Sequence, residues 1–593
     1  MKRKKQSKTP VEVRPQDIPF QRFLERKLTR RQAMSSAAKV GVGAAIAVIA
    51  VGGVGAYFAT KPPQTITETQ INTQTQTTVA TTTATTTTGL ATGPVSGGIV
   101  NAVMGTSFAS IAGQEDPLKI VYTPDEFNWM MFERLFEYKP YPSTDFDPNG
   151  GLASGYTLSS DKKTITVNLR QNVKWHDGTD FTSADVLYSI AQYQSSTSGS
   201  LAAGYLGFIS SVTAPDAHTV TIALKNPYAP AVQWLGNFYL LMIPKSRQGN
   251  EANFLKNPIG TGPFKFNGEN IAGSYISFVK NPNYWRAGPY LDEVRWTGSA
   301  DPSAILAGFQ SESFQWGDVA IILGTGIAQA GTIATSHIVQ QNFPIGQYDV
   351  TMNTQQPPFD KQAVRQAVAW GIDWGSILAL YGGLYQRAYQ PVTPDHWAYN
   401  PTATKYDYNL PKAQQMLTAA GVQSGTPITF VIYAGRLPSE RDIVLGNLKD
   451  MGFNVTLKIV DSSTFYSNWL VPVGQTPPAG NVWHISMQSD GAQVPDPGPM
   501  FRSYLYSKSP DWNPSRYSNP QVDALIDQGE VEQDPVKRQQ IYQQLSGMFV
   551  DAAVYPGTYN ITDLWLKQNN LQGWNEHPVY QILTNTAYLA PTH

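Results

Sequence analysis

From residue 98 onward the apolar positions recur with two distinct periods. In "TITVNLR" Ile165, Val167 and Leu169 alternate with Thr164, Thr166 and Asn168, the period of a half-buried strand. "HTVTIALK" repeats it with Val220, Ile222 and Leu224, and "FNVTLKIV" with Phe453, Val455, Leu457 and Ile459. Elsewhere the spacing is helical. In "KQAVRQAVAWGID" Val364, Ala367, Val368, Gly371 and Ile372 share one face. "LPKAQQMLTAAG" has Pro411 in its first turn and Gly421 as its stop. "DPVKRQQIYQQLSGMFVDAA" is predicted as a helix capped by Asp534 and opened by Pro535, with Ile541, Leu545, Met548 and Phe549 as its stripe. Alternating strands and helices with no internal repeat or long linker predict an α/β body of intertwined domains.

The first 97 residues follow neither period. Val40–Ala59 is an unbroken apolar run of 20 residues, about 30 Å as a helix and long enough to span a bilayer. It follows a basic segment, residues 1–39, with 12 Lys and Arg against 3 acids. The paired Arg30 and Arg31 resemble a twin-arginine export signal, although Ala33 stands where such signals place a larger apolar residue. With no A-x-A cleavage site following, the run is expected to remain as a membrane anchor, its basic end in the cytoplasm and the rest outside. Residues 60–97 are dominated by Thr and cannot bury a core, so they read as a disordered, glycosylated stalk.

Composition narrows the function classes. The net charge of −1 conceals a body that carries 30 basic and 40 acidic residues beyond position 94. So acidic a surface, without a Lys/Arg run, excludes nucleic acid as the expected partner. The chain has no cysteine, which removes disulfides, thiolate metal sites and thiol nucleophiles.

The densest cluster of chemistry-bearing residues is "VKWHDGTDFTSADV", 173–186. Asp177-Gly178 is a turn signal, and Thr182-x-x-Asp185 has capping-box spacing ahead of a helix. A metal site would need a second His nearby, and His218 is the next. The cluster is therefore read as a corner. "DFDPNG" (145–150) mimics a calcium loop, but Tyr156 occupies the twelfth position and Pro148 sits inside, so a turn is expected. No G-x-S-x-G, H-E-x-x-H or P-loop pattern is present.

That same corner, "TITVNLRQNVKWHDGTDFTSADVLYSI", resembles the signature segment of the extracellular solute-binding proteins of ABC importers, family 5, the dipeptide- and oligopeptide-binding type. "NPIGTGPFKF" (257–266), "KNPNYWRAGPYLDEVRW" (280–296), "MNTQQPPFDKQAVRQAVAWGID" (352–373), "YDYNLPKAQQMLTAAG" (406–421) and "RYSNPQVDALID" with "DPVKRQQIYQQL" (516–545) follow in the family's order. With the anchor and stalk, the chain resembles archaeal-type surface receptors. The resemblance implies a two-lobed, periplasmic-binding-protein-like α/β fold of type II, its hinged lobes closing on a solute. Lobe I would take 98–345, with an extra subdomain inserted at about 131–255. Lobe II would take 346–555, and 556–593 would return to lobe I. No cofactor, no metal and no catalysis are implied. The partners would be a small solute and the permease subunits of the importer, with the receptor itself a monomer on the extracellular face of the membrane.

The resemblance also nominates ligand-binding residues: Trp129, Asn353, Trp397 and Trp483 by layout, and one of Asp490 or Gln493 by alignment. In peptide-binding relatives an Asp just upstream of an Asp-Pro pair holds the peptide's amino terminus. Aligned on Asp496-Pro497 without gaps, that place falls to Gln493; a three-residue insertion gives it to Asp490. A neutral amide cannot pair with an ammonium as a carboxylate does. Gln, Asp and the chain's 14 Trp suit sugar hydroxyls and sugar faces, so oligosaccharide is placed ahead of oligopeptide as the expected ligand. The rival classes are a surface-anchored glycoside hydrolase, whose carboxylate pair would be spatial rather than sequential, and a structural surface-layer component.

Overall fold

The computed structural model describes residues 93–593, apart from 120–126, 140–142, 144, 196–199, 201, 319–324, 435–437, 472–474, 492–493, 509–511, 578–580 and 591–593. The basic segment, the apolar run and the Thr-rich stretch lie outside the described residues. No helix among the described residues is long and apolar enough to cross a membrane.

Two sheets organise the body. In chain order their strands are β1 (Ile99–Met104), β2 (Ala153–Leu158), β3 (Thr164–Leu169), β4 (Ile209–Asp216), β5 (Thr219–Leu224), β6 (Phe264–Asn270) and β7 (Tyr275–Lys280). β8 (Glu293–Gly298), β9 (Trp316–Asp318), β10 (Ser336–Met352), β11 (Pro427–Tyr433), β12 (Asn454–Val460), β13 (Ile485–Gly491) and β14 (Gly557–Gln568) complete them. Ten form one mixed sheet in the order β12-β11-β13-β10-β14-β9-β1-β8-β7-β6. The other four, β2-β3-β5-β4, make a separate antiparallel sheet covered by the helix Ser183–Gln194. This is the type II, two-lobed architecture with its inserted subdomain.

Strands β10 and β14 are the spine. Ser336–Asn342 of β10 pairs with β14 on the side of β9, and Gly346–Met352 pairs with β13 on the other side. The β10–β14 ladder breaks register between Asn342 and Gln347 and again at Asp349. A bulged pair local to the middle of a ten-stranded sheet bends it and loosens the ladder there. The main apolar cores lie on either side, one around Trp296, Trp316 and Trp574, the other around Val350, Phe430 and Met487.

The predicted elements form where their periodicity placed them: β3, β5, β12, and the helices Gln362–Gly371, Leu410–Ala419 and Pro535–Ala552. Asp534 caps the last of these, accepting from the Val536 and Lys537 amides. β12 is an edge strand, and there the expected inward face is thin: Val455 and Leu457 are half-buried and Ile459 is exposed.

The cluster at 173–186 is a corner. His176 accepts from the Gly260 amide at Nδ1 (3.1 Å) and lies 3.0 Å from the Gly262 carbonyl at Nε2, which sets the tautomer with the proton on Nε2. Asp177 accepts from Thr179, and Thr182 and Asp185 form the capping box, the Thr182 amide donating to Asp185 at 2.8 Å. Burial pushes the His176 pKa down to about 4. Every polar group is spent on chain geometry. "DFDPNG" likewise makes a turn, with Asp147 accepting from the Asn149 amide. Among the described residues no cluster of His, Asp or Glu is arranged to hold a metal.

Candidate ligand-binding site

Of the nominated residues, the structure brings two together. Asn353, buried at the end of β10, donates from Nδ2 to the Trp483 carbonyl (3.1 Å), and its amide donates to the His484 carbonyl (3.0 Å). Its Oδ1 accepts from the Gln355 amide. Asn353 therefore staples β10 to the entrance of β13. The Trp483 ring is 3% exposed, in an apolar cluster with Val431, Phe465, Trp469 and Leu470.

Trp397 belongs to a different cluster. Its ring lies edge-on to Tyr542 (5.6 Å between centroids) with the Arg538 guanidinium 5.3 Å above it. Arg538 makes a two-pronged pair with Asp496, 2.6 and 2.8 Å, while Asp496 also caps the helix Pro497–Leu505 through the Gly498 amide. The Asp-Pro pair that anchored the alignment is thus a buried ion pair and a helix cap.

Trp129 lies in a short helical turn, Asn128–Met131. It borders a cavity of about 30 Å³, room for one or two waters, whose wall also carries Glu133, Arg134, Glu137, Arg286 and Thr584. Arg286 bridges Glu137 (2.7 Å) and Glu133 (3.4 Å), and Glu133 accepts from Tyr284 OH (2.8 Å) and Trp285 Nε1 (2.9 Å). Burial raises the Glu133 carboxyl and lowers the Arg134 guanidinium to about 10. The cavity walls come from residues 129–137, 263–286 and 584–585. Asp490 stands opposite Gln347 in the β10–β13 ladder. Its side chain lies outside the described residues, as does the whole of Gln493.

Sequence reasoning missed a polar stripe on β10 and β13. Asp349 faces Gln488 and Thr351 faces Ser486 across the ladder; all four, with Gln347, are at most 1% exposed. Thr351 donates to Asp349 (2.8 Å) and Gln347 to the Tyr555 carbonyl (2.9 Å). Both amide atoms of Gln488 and the Ser486 hydroxyl have no hydrogen-bond partner among the described residues. Such groups in a folded interior call for an explanation. The signal was present in "ISMQSD": apolar Ile485 and Met487 alternate with polar Ser486 and Gln488, a strand with one polar face.

Segments far apart in sequence also meet away from β10 and β14. The Ala229 amide, just beyond β5, donates to the Glu530 carbonyl at 2.7 Å, in the helix Pro520–Val531. Arg502 holds the Glu530 carboxylate and also pairs with Asp527 (2.7 Å). Burial, and then the Glu530 charge, raises the Tyr228 phenol.

Comparison with known proteins fits this geometry. The model of the bacterial extracellular solute-binding proteins, family 5 (middle), matches residues 147–512. A Brucella ovis protein named for ABC-transporter peptide binding is 29% identical over 413 residues, covering 67% of this chain and 76% of its own. The glutathione-binding protein GsiB of Escherichia coli O1:K1 is 25% identical over 452 residues, 70% and 83% of the two chains. Among solved structures, the Helicobacter pylori periplasmic binding protein DppA in complex with the peptide STSA superposes with TM-score 0.69 at 21% identity, covering 84% and 99%. HbpA2 of Haemophilus parasuis gives 0.72 at 20%, covering 83% and 100%. At these identities the structural likeness speaks for the fold.

Proposed function

Since the chain belongs to the bacterial extracellular solute-binding proteins of family 5, we propose that it is the peptide-capturing receptor of an ABC importer. It takes an oligopeptide or peptide-like solute between its two halves and hands it to the permease, without catalysis and as a monomer. Val40–Ala59 tethers it to the outer face of the membrane, with residues 60–97 as a stalk. Lobe I comprises 98–345 and 556–593, and lobe II 346–555, the boundary falling in the register break of β10. The observation that carries this reading is the paired β10–β14 spine with its local break, flanked by halves that meet again at Ala229 and Glu530. Such a joint closes by a hinge, and ligand drives closure by touching both halves only when closed.

Peptide now stands ahead of oligosaccharide. The sugar argument rested on Gln493 and Asp490 as hydroxyl partners, whose side chains lie outside the described residues, and on aromatic faces, of which Trp129 and Trp483 are buried at 7% and 3% exposure rather than presented as platforms. The names of the similar proteins, peptide-binding and glutathione-binding, support the same preference. A thermal-shift screen of paired peptide and oligosaccharide panels tests it. A ligand at about a hundred times its Kd adds roughly 2.7 kcal/mol, a readily visible shift. Shifts from sugars alone would overturn the peptide reading.

A further inference from the structure

Two places in the chain carry the glycan-acceptor pattern Asn-x-Ser/Thr with no Pro in the middle: Asn454-Val455-Thr456 and Asn560-Ile561-Thr562. Pro401 and Pro514 spoil two others, beginning at Asn400 and Asn513. The fold treats the two intact ones oppositely. Asn560 lies in β14, which has β10 on one side and β9 on the other; it is 2% exposed, and Thr562 is 6% exposed. Its Nδ2 is turned to the Gly346 carbonyl at 3.4 Å. A sugar there would have to occupy the interior of the ten-stranded sheet.

Asn454 opens β12, two residues after Gly452, whose positive φ of 99° turns the chain into the strand. Asn454 and Thr456 point to the same face, both exposed, and neither side chain makes a hydrogen bond among the described residues. The backbone beneath is held, the Asn454 amide donating to the Thr426 carbonyl at 2.9 Å. The acceptor nitrogen is thus offered to solvent from a fixed base.

The strand itself supplies a second observation. β12 ends the ten-stranded sheet and pairs with β11 alone, in unbroken register over its seven residues, about 23 Å. The opposite edge, β6, breaks register between Phe266 and Gly268 and carries both Lys265 and Glu269. β12 has no such break, no Pro and one charge, Lys458, and its Ile459 is 49% exposed. An open, regular edge of this kind is a template for pairing with another chain unless something blunts it.

We propose that Asn454 is N-glycosylated and that the glycan covers the open edge of β12. The donor is an oligosaccharide carried on a polyprenyl phosphate or diphosphate and delivered by a membrane transferase. The Asn454 Nδ2 bonds to the anomeric carbon, the bond from that carbon to the phosphate oxygen breaks, and the phosphate leaves with the electron pair while the amide gives up one proton. This goes beyond the receptor reading but shares its premise that the body stands outside the membrane.

The test uses the full chain purified from the membranes of the cells that make it, digested for peptide mass mapping. The peptide spanning Asn454 should carry a saccharide mass increment, and the peptide spanning Asn560 none. Asn454→Gln and Thr456→Ala should each abolish the increment, and Thr456→Ser should keep it. In sedimentation velocity the wild-type chain should stay monomeric, while folded Asn454→Gln should form larger species that grow with concentration. Adding Ile459→Lys, which charges the bare edge, should return it to monomer. An unmodified Asn454 in a chain that external protease digests on intact cells overturns the proposal and leaves the receptor standing. If protease cannot reach the chain and Asn454 is bare, the shared premise falls as well. A saccharide at Asn560 refutes the selection by burial, and a chain that stays monomeric after Asn454→Gln refutes the covering role.

Discussion

If Asp496 and Arg538 form a structural lock, breaking it from either side should cost far more than removing it whole. Asp496 is 2% exposed and gives both oxygens to Arg538, whose side chain is 11% exposed. Removing one partner of a buried pair typically costs 3–5 kcal/mol, because the other charge is left uncompensated. Asp496→Asn preserves the helix cap, since Asn caps as well as Asp. The guanidinium it strands still has the Gly529 carbonyl and the Trp397 and Tyr542 rings. The loss there should be near the low end, about 3 kcal/mol. Arg538→Met leaves the Asp496 carboxylate with only the Gly498 amide among the described residues, so its loss should approach about 5 kcal/mol. In the double variant neither charge remains, and the total should fall below the larger single loss, a coupling of at least about 3 kcal/mol. Urea unfolding read by Trp fluorescence measures all four chains, with Trp397 as a reporter beside the pair. Additive single losses, or losses under about 1 kcal/mol, would refute the lock. Peptide affinity of the folded single variants should stay within a factor of about two, because the pair is not assigned to the ligand.

The remaining expectations are more local. Ala229→Pro removes the N–H that reaches Glu530; losing one hydrogen bond worth about 0.5–1.5 kcal/mol in the closed form should weaken ligand binding two- to tenfold by calorimetry, and unchanged affinity would deny that contact a part in closure. His176, with its pKa depressed from 6.5 to about 4 by burial, binds fewer protons folded than unfolded between those values. Stability should therefore fall as pH drops through that window, and His176→Gln should flatten the slope measured by denaturation at successive pH values, whatever it does to stability at pH 7. Asp534→Ala should cost about 1 kcal/mol as a lost helix cap, visible as a lower urea midpoint.

What could be read from the sequence was what is local. Thr182 and Asp185 lie three apart, so a capping box is legible, as is the Asp534-Pro535 helix start. The ten-stranded sheet was not legible, because it pairs β10 with β14 across some 200 residues. Neither was the Ala229–Glu530 contact, for the same reason. Local pattern also misjudged what depends on neighbours: Ile459 alternates correctly yet lies exposed on an edge strand. The site was partly legible. Asn353 and Trp483 do meet, but as a backbone staple and a core ring, and a count of tryptophans cannot separate cleft rings from core rings.

The central claim is that the two halves close on a peptide. Because the chain has no cysteine, Ser211→Cys and Lys537→Cys introduce one exposed dye site on each side. Energy transfer between them, followed as tripeptides and tetrapeptides are added, should rise saturably at the same concentrations that protect the protein from heat. Thermal protection by peptide with no change in transfer would contradict closure.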